Sequence, residues 1–118
     1  MNDDSLALLD QADRTIALGD HDQGSVLLWQ AAEHAMSSLA ERHGRPHSDE
    51  EDLMRFAKWL DQKHDRGVEN WHLLGYFAAG SFRDNARWHY EDWEEMRHSV
   101  PDIRVFVSTL RGYLETAG

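Results

Sequence analysis

One stretch leaves the chain little freedom in how it folds: Val68 to Trp93, VENWHLLGYFAAGSFRDNARWHYEDW. It is the longest apolar segment, and within it Trp71, Leu74, Phe77, Ala78, Ser81 and Phe82 recur at three- and four-residue steps. That spacing stacks side chains on one face of an α-helix, so these residues are expected to face a core. The segment then turns polar through Arg83, Asp84, Asn85, Arg87, His89, Tyr90, Glu91 and Asp92. A single helix is thus expected to anchor the core and carry a charged cluster at its exit. Whether Glu91 to Glu95 bends away or continues the helix is left open by the residues themselves.

The rest of the chain reads as further helices. Asp3, Asp4 and Ser5 are good N-terminal caps, and Leu6, Leu9, Ala12 or Asp13, and Ile16 trace a stripe that Gly19 and Asp20 end. A second helix opens between His21 and Ser25, with Leu28, Ala32, Ala35 and Leu39 on one face. Its alanines allow a neighbouring helix to come close, which predicts a central position. Gly44 and Pro46 close it. Ser48, with Glu51 three residues later, reads as a capping box for a third helix carrying Leu53, Phe56, Ala57 and Leu60, and Gly67 breaks that helix. Ser99 and Pro101 suit the start of a last helix bearing Ile103, Phe106, Val107, Leu110 and Leu114. Val, Ile and Thr are sparse, strand signals are nearly absent, and no repeat or linker divides the sequence. Residues 1–118 are therefore expected to form one all-α domain, an antiparallel up-and-down bundle of four to five helices.

Bulk properties narrow the function classes. The chain is long enough to bury a core without staples, and it has no cysteine. Disulfides, thiolate metal sites and a cysteine nucleophile are excluded, and a cytoplasmic setting is expected. No run is apolar enough to span a membrane, and the acidic start MNDDSLALLD lacks the layout of an export signal. A net charge of −10 disfavours sequence-independent binding to nucleic acid or an anionic membrane unless a local basic patch overrides it.

Chemistry, if present, is expected at the polar exit. Arg83 and His89 suit phosphodiester cleavage: the imidazole moves a proton while the guanidinium holds the phosphate as charge builds. In an unbroken helix their directions differ by about 120°, so they converge only if the helix bends or ends between them, or if a second subunit supplies one of them. The spacing alone is not selective. About two such Arg/His pairs are expected by chance, and four occur: Arg14/His21, Arg42/His47, Arg66/His72 and Arg83/His89. The bland alternative is an ion-paired helix end in which Arg83 and Arg87 answer Asp84, Glu91 and Asp92. Glu69/His72 and Glu95/His98 have the three-residue step of carboxylate-bridged metal bundles, with Glu33 and His34 as further donors. Trp29, Trp59, Trp71, Trp88 and Trp93 are expected in the core or at a dimer interface. No nucleophile triad, phosphate-cradling glycine loop or zinc motif is present, and no cofactor is called for.

The layout resembles the HEPN superfamily of small helical bundles. Leu6 to Ala17 is similar to that family's first helix, and LLWQAAEHAMSSLAERHG, Leu27 to Gly44, to its alanine-rich second. Arg83, Asp84, His89 and Tyr90 match the family's Arg, following polar residue, His and nearby Tyr. Asn85 fits the polar slot equally well. The resemblance implies catalytic roles for Arg83 and His89, with Asp84, Asn85, Arg87 and Tyr90 beside the substrate. It implies a homodimer acting on RNA or nucleotides as a metal-independent ribonuclease, often a toxin paired with an antitoxin. Other members are non-catalytic modules that bind nucleotides or protein partners. SFRDNARWHYEDW also resembles a small-protein branch of the superfamily in which the aromatic-Tyr step packs structurally.

Overall fold

A computed structural model describes residues 4–116, and these form an all-helical bundle. Helix α1 runs Ser5–Ala17, α2 His21–Arg42, α3 Glu50–Lys63 and α4 Trp71–Trp88. A single turn, α5 (Trp93–Met96), and a 3-10 turn, Arg97–Ser99, lead into α6, Val100–Thr116. Among the described residues no helix is long and apolar enough to cross a membrane.

Helix α2 is the spine, as its alanines predict. Its 22 residues make a rod of about 33 Å, most of the molecule's 40 Å long dimension. Leu28, Ala31, Ala32, Ala35, Met36 and Leu39 have no exposed surface, and α1, α3, α4 and α6 all pack on this helix. Two glycines set the closest approaches. A Cβ on Gly24 would lie 2.4 Å from the Ile16 side chain of α1, and one on Gly75 of α4 would lie 2.3 Å from the Phe106 ring of α6. Arg104 of α6 pairs with Asp13 of α1, and Arg42 Nη1 donates to the Leu114 carbonyl at 2.5 Å.

Three local expectations are corrected. The first concerns α3: the cap is Asp49, not Ser48. Asp49 Oδ1 accepts the Asp52 backbone N–H at 2.8 Å, while Asp52 Oδ2 accepts the Ser48 hydroxyl and backbone N–H. The cap is thus shifted by one residue, because Asp49 has the extended backbone of a cap. The Ser48 hydroxyl, and then its N–H, hold the Asp52 carboxyl below its ordinary pKa. The second concerns α1, where the buried stripe is Ser5, Leu9 and Ala12, and Leu6 is exposed.

The third correction concerns α4. His72, Tyr76, Ala79, Gly80, Phe82 and Asn85 face inward, whereas Leu74, Phe77 and Ser81 are exposed. Only Phe82 of the expected stripe is fully buried, with Trp71 and Ala78 half-buried. The helix has apolar residues on two faces, and packing against α2 selected the one with small and hydrogen-bonding members. The open question at its exit is also resolved: α4 stops at Trp88, and the chain turns.

Candidate functional site

Helix α4 ends because His89 adopts a left-handed conformation, φ 52°, a step that an imidazole-bearing residue tolerates better than a β-branched one. Asn85 fixes the turn that follows. Its Nδ2 donates to the Glu91 carbonyl at 3.0 Å, and its Oδ1 accepts the Glu91 N–H at 2.7 Å. The amide, expected beside a substrate, is instead buried, with its nitrogen and its oxygen each bonded to the Glu91 backbone. Below the turn, Trp93 stacks on His21 at 4.6 Å and meets Phe82 edge-on.

Arg83 and His89 are directed to different points on α2. The Arg83 guanidinium lies 4.5 Å over the Trp29 ring, donates through Nε to Asp84 Oδ1 at 2.9 Å, and pairs through Nη1 with Glu50 of α3. The hydrogen bond to Asp84, and more weakly that to Glu50, raises its pKa against the opposing effect of burial. His89 Nε2 meets Asp22 Oδ2 at 2.8 Å, in the first turn of α2. Asp22 and Trp29 are seven residues apart on one helix, which separates the two anchor points by about 10 Å along its axis. Each of the two side chains is thus held by a carboxylate of another helix, Arg83 by Glu50 and His89 by Asp22. Arg87 stacks on Trp88 at 4.7 Å, and Arg87, Trp88 and Tyr90 are all exposed. Arg83, Asp84, Arg87 and Trp88 border one groove of about 420 Å³ together with Asp22, so His89 reaches that groove only through its carboxylate partner.

A second polar group, missed in the sequence, ties three helices together. Asp61, near the end of α3, accepts the backbone N–H groups of His72 at 2.7 Å and Leu73 at 3.1 Å. It thereby caps α4 from a distance, in place of Asn70, whose side chain makes no cap bond. Asp61 Oδ1 also meets His72 Nδ1 at 2.7 Å, and His72 Nε2 meets the Tyr113 hydroxyl of α6 at 2.8 Å. An ionised carboxylate only accepts, so Nδ1 carries the proton and Nε2 receives the Tyr113 O–H. Burial lowers the His72 pKa despite Asp61, and burial likewise raises that of Tyr113. His64 stacks on the Tyr113 ring at 3.9 Å, and its own pKa is lowered, chiefly by burial. The chain is a clamp, since both nitrogens of His72 and both oxygens of Asp61 are engaged.

That clamp also bears on the metal reading. His72 has no nitrogen left for a metal, while Glu95 and His98 are exposed around the short α5 turn. Among the described residues no three His, Asp or Glu side chains come together to hold an ion. Of the tryptophans, Trp29 is core, Trp59, Trp71 and Trp93 are half-buried against it, and Trp88 is exposed. No protein-family model, curated protein or solved structure matches the chain.

Proposed function

We propose that this chain is an HEPN-like helical interaction module that pairs with a second copy of itself across the outer face of α4. One observation carries the reading. The inner face of α4 is packed against the bundle, yet Leu74, Phe77 and Trp88 stand exposed in register on the other side of the same helix. An exposed apolar row of this kind marks a contact surface rather than a solvated face. Leu74 and Trp88 lie equally far from Ser81, so an antiparallel twofold pairing centred there sets each Leu74 against the partner copy's Trp88. The small Ser81 at the centre allows close approach, and a self-complementary patch is what a twofold dimer requires. A cytoplasmic setting suits the cysteine-free composition.

Light scattering is expected to give twice the 13.7 kDa chain mass. Leu74→Asp with Trp88→Asp should return the monomer with its helical circular dichroism unchanged. A native chain that stays monomeric at high concentration sinks the pairing. Co-purification with a different protein, such as the antitoxin that the HEPN resemblance implies, would reassign the face to that partner.

A ribonuclease or nucleotide-binding reading has one observation in its favour, the groove that gathers Arg83 and Arg87 beside the carboxylate holding His89. In that reading His89 shuttles the proton and Arg83 steadies the phosphate once each leaves its acid. Cleavage of total RNA by the native chain, abolished in His89→Ala, would establish it; equal cleavage by both, or none by either, removes it.

A further inference from the structure

Where α2 and α3 end, the chain gathers cations that no acid answers. Residues 53–66 hold four of its twelve lysines and arginines but only two of its 22 acids. Both acids are taken by backbone N–H groups, Asp61 by those of His72 and Leu73 and Asp65 by that of Gly67. At the centre stands Trp59, half-buried and stacked on the core ring of Phe56 at 5.6 Å. Arg45 lies over this indole at 4.7 Å and Lys63 at 5.4 Å, and the His43 ring meets it at 5.0 Å. The backbone sets Arg45 in place. Gly44 turns the chain with φ 66°, and the Arg45 N–H returns to the Ala40 carbonyl at 2.9 Å. Among the described residues neither Arg45 nor Lys63 meets a carboxylate. The dipole of α3 accounts for a lysine in its last turn. It does not account for Arg45, which lies beyond the end of α2.

Arg83 shows what a guanidinium held over an indole does when acids are within reach. It lies over Trp29 at 4.5 Å and takes both Asp84 and Glu50. The ring fixes the head group without using its N–H donors, so a carboxylate that binds there costs little further rotamer freedom. We propose that the Trp59 platform is a docking site for a short acidic segment of a partner protein, neighbouring Asp or Glu side chains of which reach Arg45 and Lys63. The platform favours peptide over nucleic acid. Cations occupy the indole on which a base would stack, and a net charge of −10 opposes a long polyanion more than a short segment. The site is built on α2 and α3 and is independent of the pairing across α4.

The test titrates three probes into the native chain: a peptide of alternating Asp and Glu, its Asn and Gln counterpart, and a single-stranded oligonucleotide of the same charge as the acidic peptide. The readout is the assigned Trp59 indole N–H resonance. The acidic peptide is expected to shift it saturably, the amide peptide not at all, and the oligonucleotide more weakly than the acidic peptide. Arg45→Gln and Lys63→Gln should each weaken the acidic peptide about fivefold, the upper end for an exposed charge pair, with helical circular dichroism unchanged. Arg14→Gln removes the same charge from an exposed position on α1 and should leave the affinity as it was. The chain with Leu74→Asp and Trp88→Asp should bind the peptide as the native chain does, whatever its state of pairing. An oligonucleotide that binds more tightly than the peptide, a loss in Arg14→Gln equal to that in Arg45→Gln, or no shift of the indole in either chain would overturn the proposal.

Discussion

At the scale of single residues, the side chain with the widest reach is Asp61. It serves two backbone N–H groups and an imidazole with no exposed surface. Asp61→Ala removes a helix cap and strands buried donors in the same step. A lost cap costs about 1 kcal/mol and a lost charge-assisted bond about 1.5–3. The expected loss in a urea titration is about 2–4 kcal/mol, against no more than about 0.5 kcal/mol for Asp65→Ala, a surface position in the neighbouring loop. Equal effects would mean that Asp61 does not cap α4. His89 teaches the opposite lesson: its left-handed backbone ends a helix, and its ring is an exposed partner of Asp22.

Between elements, close approach is governed by what is missing from a side chain. Gly75 lets the Phe106 ring lie against the α4 backbone, and Phe106 is itself 1% exposed, with no room to retreat. Gly75→Ala gains up to about 1 kcal/mol of helix propensity and loses about 1–3 to overpacking. A net loss of about 1 kcal/mol is expected in thermal unfolding. A gain would show that α6 can slide on α4. The same pair of helices holds the clamp at its far end, where the Tyr113 hydroxyl of α6 meets His72 of α4. The two contacts fix both the distance and the axial position of α6.

For the molecule as a whole, the buried His72 and half-buried His64 imidazoles make stability depend on pH. His72 and His64 both have folded pKa values below their ordinary 6.5, mainly through burial. The unfolded chain therefore binds protons at a pH where the folded chain does not, and acid favours unfolding. Their contribution is complete above the unfolded value and is lost as pH falls below it. The urea midpoint should drop between about pH 7.5 and about pH 5.5, before the carboxylates begin to titrate. A flat midpoint over that interval would mean that His72 is charged in the folded state. Asp52, held low by Ser48, adds a further acid sensitivity as pH falls through the ordinary carboxylate range.

What the sequence could determine by itself was local. Apolar spacing, caps and breakers place the five long helices and the alanine-rich spine, because helix formation depends on residues three and four apart. The facing of α4 was beyond its reach. Two apolar rows, Trp71–Leu74–Phe77 and His72–Tyr76–Ala79, share that helix, and only the shape of α2, with Trp29 and its alanines, decides which row is buried. Long-range partners were equally hidden. Asp61 and Tyr113 come to His72 from positions 11 and 41 residues away, and Arg83 meets Glu50 across 33. Charge pairing of that kind follows from where helices cross, so only the tertiary structure could show that the arginine and histidine of the polar exit are each held by a carboxylate of another helix.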